Sequence, residues 1–170
     1  YIYRQGHRRI GFLHGEMSSV TRMRIDAMRQ TLAQLGCPAA PDAIRPGYYH
    51  DPDATQRDTA RWLNEPHAPT CLILSDDFSA IGARRAVQSR GMAIPGDISL
   101  AGFDGIDVAW ALTPPLTTVW QDTDRIGVEA ARRLIARING QSLPPSPVFI
   151  PTRLLPGGTV GPIAPPRPDA

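Results

Sequence analysis

The chain has 170 residues, enough for one compact domain with a substantial core, and its 42% hydrophobic content is ordinary for a globular protein. A formal net charge of +2, from 18 basic and 16 acidic residues, gives no electrostatic case for a nucleic-acid surface. Every basic residue is arginine, two cysteines without paired spacing argue against a disulfide framework or a metal site, and no run is long and apolar enough to span a membrane.

Residues 1–5 read as the last turn of a helix, with Gly6 as its left-handed cap. A short strand follows at 9–13, then a loop of small and polar residues at 15–20. Helical spacing runs over 21–35, with Met23, Ala27, Met28, Leu32 and Leu35 on one stripe and Gly36 at the stop. A weak strand at 44–48 precedes a helix at 53–63, with Ala60 and Leu63 facing in. The run 71–74 is a buried strand opened by Cys71, while Cys37 reads as a small loop thiol. The helix at 79–90 is closed by Gly91, and a second buried strand occupies 98–103. A loop ending in Pro114-Pro115 leads to an extended segment at 117–120. An amphipathic helix at 123–138 turns Ile126, Ala130, Leu134 and Ile138 inward and stops at Gly140. A last strand is expected at 148–155, and the Gly- and Pro-rich 156–170 as a disordered tail.

Strands alternating with helices of this length make right-handed crossovers and a parallel sheet covered on both faces. The fold class is therefore α/β, doubly wound. Ligands of such sheets bind beyond the carboxyl ends of the strands. Four segments lie there: the Gly15 loop, residues 48–51, Asp76-Asp77, and Asp104. They gather carboxylates, aromatics and small hydroxyls, with arginine on the following helix. That mixture suits a polyhydroxylated ligand, whose hydroxyls pair with charged groups and whose ring face covers an aromatic.

Competing chemistries fit less well. The chain has no G-x-S-x-G elbow, P-loop or G-x-G-x-x-G. His50, Asp51 and Asp53 suggest a metal, but the pattern reads more simply as a helix-start cap. The adjacent Asp76 and Asp77 do not face one scissile bond as a glycosidase pair must. The chain is not expected to be an enzyme or to hold a cofactor.

Five words, GHRRIGFLHG, SSVTRMRIDAMRQTL, SDDFSAIGARRAV, IPGDISLAGFD and LTPPLTTVWQD, stand in an order and at a spacing that resemble the effector-binding core of lactose-repressor/galactose-repressor (LacI/GalR) regulators. The resemblance covers roughly residues 5 to 155. It implies a two-lobed sensor like a type I periplasmic binding protein, of which this chain carries a part. Residues 8–115 would form the second lobe, and 1–7 and 116–155 the elements crossing to the first.

By the same resemblance, Arg24 in Arg22-Met23-Arg24 grips the effector. Asp104 is its main carboxylate partner, Tyr49 stacks on it, and Ser18 adds a hydroxyl contact. Asp76 stands where the family commonly has asparagine, and is assigned to the ligand. Asp77 is assigned to capping the following helix. Gly105 replaces the family's usual acidic residue. Arg84, Val87, Trp110 and Leu112 are candidates for a homodimer interface. The implied function is a cytoplasmic transcription regulator of the repressor type that senses a sugar-like effector. It would reach operator DNA through a head outside this chain, which begins at Tyr1 and reads as a fragment. A periplasmic sugar receptor of a transporter is the alternative, and a sugar-modifying enzyme a weaker one.

Overall fold

The computed structural model describes residues 1–144 and 146–163. A 3-10 turn at Tyr3–Gln5 ends at Gly6, whose φ of 96° makes it the left-handed cap expected from sequence. Then come β1 (Ile10–His14), α1 (Ser19–Gln34), β2 (Ile44–Pro46), α2 (Pro52–Trp62), β3 (Cys71–Leu74) and α3 (Asp77–Gln88). The chain continues through β4 (Ser99–Asp104), α4 (Asp107–Ala111), β5 (Thr117–Trp120), α5 (Thr123–Ile138) and β6 (Arg153–Leu155).

The strands form one sheet in the order β2-β1-β3-β4-β5-β6. All pairs are parallel except β5 with β6, which is antiparallel at the edge. Parallel pairing puts the carboxyl ends of β1 to β5 on one rim. The α/β doubly wound fold holds, with an antiparallel edge strand added. That strand is three residues long, much shorter than the expected run from 148 to 155.

Alternation along the strands divides the core between two faces. Leu72, Leu74 and Leu100 point to α2 and α3 and join Leu13, Trp62, Val87, Ile98 and Leu116 in the main cluster. Cys71 and Ala101 point the other way, toward Val160, Ile2 and Ile73. Burial pushes the Cys71 thiol well above its ordinary value, so it stays a neutral core group. In α1 the inward positions are Thr21, Ile25 and Leu32, while Met23 and Leu35 are exposed. The expected stripe was rotated because it favoured methionine over the threonine that faces in. In α2 the inward positions are Ala54, Thr55, Thr59 and Trp62. Here too threonines mark the buried side, and Ala60 and Leu63 are only partly covered.

Two further expectations change. The stretch 156–163 is not a disordered tail. Thr159 and Val160 are buried, the Thr159 hydroxyl accepts from Thr117 N at 2.8 Å and donates to Leu100 O at 2.7 Å, and Leu100 N donates to Thr159 O at 2.9 Å. Its glycines are there for close approach: a Cβ on Gly157 would lie 2.3 Å from Pro115 O. Residues 164–170 of that expectation lie outside the described residues. The inward stripe of α5 has nothing to face: no residue of this helix is buried, and Ile126, Leu134, Ile135 and Ile138 are all exposed.

Helices α2 and α3 touch through Gly82, where a Cβ would stand 1.9 Å from Pro52 O. Gly82→Ala is expected to destabilise by about 3 kcal/mol, since backbone must move apart. Gly127→Ala in α5, where nothing lies within 4 Å of the added Cβ, is expected to be neutral or to stabilise by up to about 1 kcal/mol. Chemical denaturation of the two variants beside the parent checks both signs.

Candidate functional site

The rim is built on two carboxylates that leave the β3–α3 turn side by side and do different work. Asp76 is 1% exposed and caps α3: its Oδ1 accepts from Ser79 N at 2.7 Å. Its Oδ2 accepts from His50 N at 3.0 Å and from the hydroxyls of Ser75 and Ser79 at 3.2 and 3.0 Å. Asp76 is thus a cap and loop anchor, and its lone pairs are taken up inside the protein. Such a cap typically contributes about 1 kcal/mol. The expected cap, Asp77, has another task. It is fully buried, its Oδ2 accepts from Gly105 N and Ile106 N at 2.8 and 3.0 Å, and its Oδ1 accepts from the Thr118 hydroxyl at 2.6 Å. Asp77 thereby fixes the end of β4 and the middle of β5. Burial pushes its carboxyl above the usual range, the Thr118, Ile106 and Gly105 bonds pull it back, and the Asp104 charge adds to the rise.

Asp104 ends β4 with φ at 109°, a conformation a side-chain-bearing residue rarely adopts. It is held from the next strand end: Gln121 Nε2 donates to Asp104 Oδ1 at 2.7 Å, and Gln121 N donates to Asp104 O at 3.1 Å. Gly105 continues the turn with φ at 72°, and a Cβ there would be 2.6 Å from Trp120 Cα. An acidic residue at 105 has no room in this turn, which explains the departure noted in the sequence. Burial raises the Asp104 carboxyl, against which Gln121 and the Arg24 charge pull down, Asp76 pushes up and His50 pulls down.

Arg24 reaches the rim from α1. Its guanidinium carbon stands over the Phe103 ring, 3.6 Å from the centroid, and Nη1 donates to Ser75 O at 3.0 Å. Arg24 and Asp104 both stand on this rim, near enough for the guanidinium charge to act on the carboxyl, with guanidinium donors and one carboxylate oxygen left over. Tyr49 is half-buried. Its ring lies against Gly15, where a Cβ would come within 2.2 Å of ring carbons, and its hydroxyl is 3.2 Å from Thr21 Oγ1. Ser18 is exposed and caps α1, accepting from Thr21 N at 3.1 Å. Gln121 and Trp120 also stand on this rim and were missed from sequence, while His50 lies in the 48–51 segment placed there but was not singled out as a ligand contact. The rule that found the other segments, looking just past each strand, also finds 120–121 when applied to β5.

The dimer candidates separate in the same way. Val87 is 0% exposed inside the main core cluster, so it does not face a partner. Leu112 packs against that cluster, and Arg84 donates to Thr113 O within the chain. Trp110 is 47% exposed and remains available.

A family model for the periplasmic binding protein-like domain matches residues 1–160. The chain belongs to this family. Its relatives within it are regulators of the LacI type. The HTH-type transcriptional repressor CytR of Escherichia coli is 34% identical over 83% of this chain and 41% of its own length. The lac repressor dimer bound to operator and an anti-inducer superposes with a TM-score of 0.84 at 30% identity, over 94% of this chain and 48% of that one. The transcriptional regulator CelR in complex with cellobiose does so with a TM-score of 0.86 at 25% identity, over 93% and 48%. The chain spans about two fifths of the length of the curated relatives it matches.

The raised Asp104 carboxyl sets a sign for stability. A carboxyl whose folded pKa exceeds its unfolded value favours folding below that unfolded value, and loses this contribution as pH rises through the folded pKa. Above that unfolded value the Asp104 carboxyl is therefore a cost to folding. Asp104→Asn keeps the Gln121 bond and tolerates positive φ, so it should melt a few degrees higher at pH 7. The gap should close as the pH is lowered through the Asp104 pKa, a trend that melts from pH 7 down to 4 will check.

Proposed function

We propose that this chain is the effector-sensing part of a transcriptional repressor of the LacI type. A small sugar-like effector would seat on the rim of β1 to β5, and DNA contact would be made by regions outside the chain. The observation that carries this reading is that Arg24 and Asp104 are each fixed on the same rim by other residues. The arginine is pinned by Phe103 and Ser75 and the carboxylate by Gln121, so both are oriented before a ligand arrives. A hydrogen bond to a charged group contributes about 1.5–3 kcal/mol, so a few such bonds support micromolar binding. The cellobiose complex of a related regulator supports a sugar as the ligand class.

Binding would alter how this lobe meets its partner lobe, and through it the operator-binding state. Coupling of this kind is typically about 1–3 kcal/mol and acts in both directions. Tyr49 and Ser18 would line the rim. Asp76 would serve indirectly, by fixing the loop that carries His50. A homodimer working in the cytoplasm fits this role, with Trp110 as the exposed candidate for its interface. No catalytic role is assigned, since the lone pairs of Asp76 and Asp77 are engaged in holding turns.

In the complete protein, Arg24→Ala and Asp104→Ala should each weaken effector-driven operator release by about tenfold to a hundredfold while leaving effector-free operator affinity intact. Anisotropy titrations on operator DNA selected from the protein's own genome measure both quantities. Normal release in both variants would refute the assignment of the rim.

A further inference from the structure

Among the described residues, the positive-φ residues other than glycine are His50, at 52°, and Asp104, at 109°. Both stand on the same rim, His50 beyond β2 and Asp104 at the end of β4. A non-glycine residue persists in such a conformation only where its surroundings hold it, and functional sites are where such strain collects. At His50 the restraint is its own N–H, donated to Asp76 Oδ2 at 3.0 Å, on a carboxylate already fixed as the cap of α3.

The restraint does not serve to bury the side chain. The imidazole is 63% exposed, with Nδ1 4.0 Å from Asp76 Oδ1. Its ring meets Phe78 edge-on at 5.6 Å between centroids and tilts toward Tyr49 at 6.4 Å. His50 and Asp104 stand on the same rim, near enough for the two groups to interact. The backbone is thus bent and pinned so as to hold an imidazole out over the rim, beside the Tyr49 and Phe78 rings.

We propose that His50 is a second effector contact and that, with Asp104, it reads a group on the effector that both donates and accepts a hydrogen bond, such as a sugar hydroxyl. The inference rests on the rim being the effector site. An ionised carboxylate only accepts, whereas a neutral imidazole offers one donor and one acceptor, so the pair selects a hydroxyl over an ether or a bare carbonyl. Phe78 and Tyr49 would give the apolar face of the ring a surface to lie on.

Substitution at this backbone conformation separates a ligand role from a structural one. Glycine adopts φ near 52° freely, so His50→Gly removes strain together with the imidazole. Asparagine also tolerates that conformation and keeps a donor and an acceptor. The test uses the complete regulator and a panel of monosaccharides, disaccharides, hexose phosphates and nucleosides, each followed by calorimetry and by operator release.

For the compound that releases the wild type, His50→Gly should weaken binding tenfold or more while melting at the same temperature or higher. His50→Asn should recover most of the affinity. If Asp104→Ala weakens binding and His50→Gly does not, this inference falls and the rim assignment stands. If neither variant changes binding, or if no compound of the panel acts on the wild type, the sensing role of the rim falls and the inference falls with it.

Discussion

Asp77 is the buried charge from which the rim hangs. It leaves the end of β3, accepts two amides from the turn after β4, and accepts a hydroxyl from β5. Three neighbouring strands are tied to one carboxylate. Gly102 in β4 makes room for it, since a Cβ there would lie 2.3 Å from Asp77 Oδ1. Removing a carboxylate from water is costly, and the cost is met only when its lone pairs are filled, as they are here. Once residues 105 and 106 are locked from behind, Gln121 restrains Asp104 from the adjacent strand end, and the strained φ of Asp104 becomes tolerable.

The polar groups of the rim fall into two sets. Asp76, Asp77, Ser75, Ser79 and Ser18 spend their hydrogen bonds on turns and caps. Arg24, Asp104 and His50 are held by others and retain donors or acceptors of their own. A preorganised second set resting on a fully satisfied first set is what selective binding of a small polar molecule requires. On the proposed reading, α5 links this rim to the rest of the regulator. Its apolar residues are exposed in this chain, and the antiparallel β6 that follows brings the backbone back to the sheet edge beside Trp120, where Arg153 lies 5.1 Å from the ring centroid.

Much of this was legible in the sequence. Gly-stopped helices and short apolar runs marked the elements, and the order of strands and helices fixed the α/β class and the rim. Arg24 and Asp104 came from motif resemblance, and both stand on the rim. Other features could not be read, for identifiable reasons. Neighbouring aspartates look alike on paper, and whether Asp76 or Asp77 caps α3 depends on which carboxylate the turn points at Ser79 N. Val87 was a dimer candidate by resemblance alone, but α3 is covered by both α2 and the sheet, and Val87 lies in the core. Threonines carry the buried faces of α1 and α2, which a pattern of large apolar residues overlooks. The tail beyond 155 has the composition of disorder, yet its glycines allow it to lie against Pro115 and its Thr159 bonds to β4 and β5.

The most direct measurement is hydrogen–deuterium exchange on the complete regulator, with and without a compound that releases it from operator. The account predicts new protection in the backbone at 48–51, 75–79, 103–106 and 120–122, the segments that end the parallel strands. Protection confined to the α1–sheet face or to α5, with those four segments unchanged, would place the effector elsewhere and contradict it.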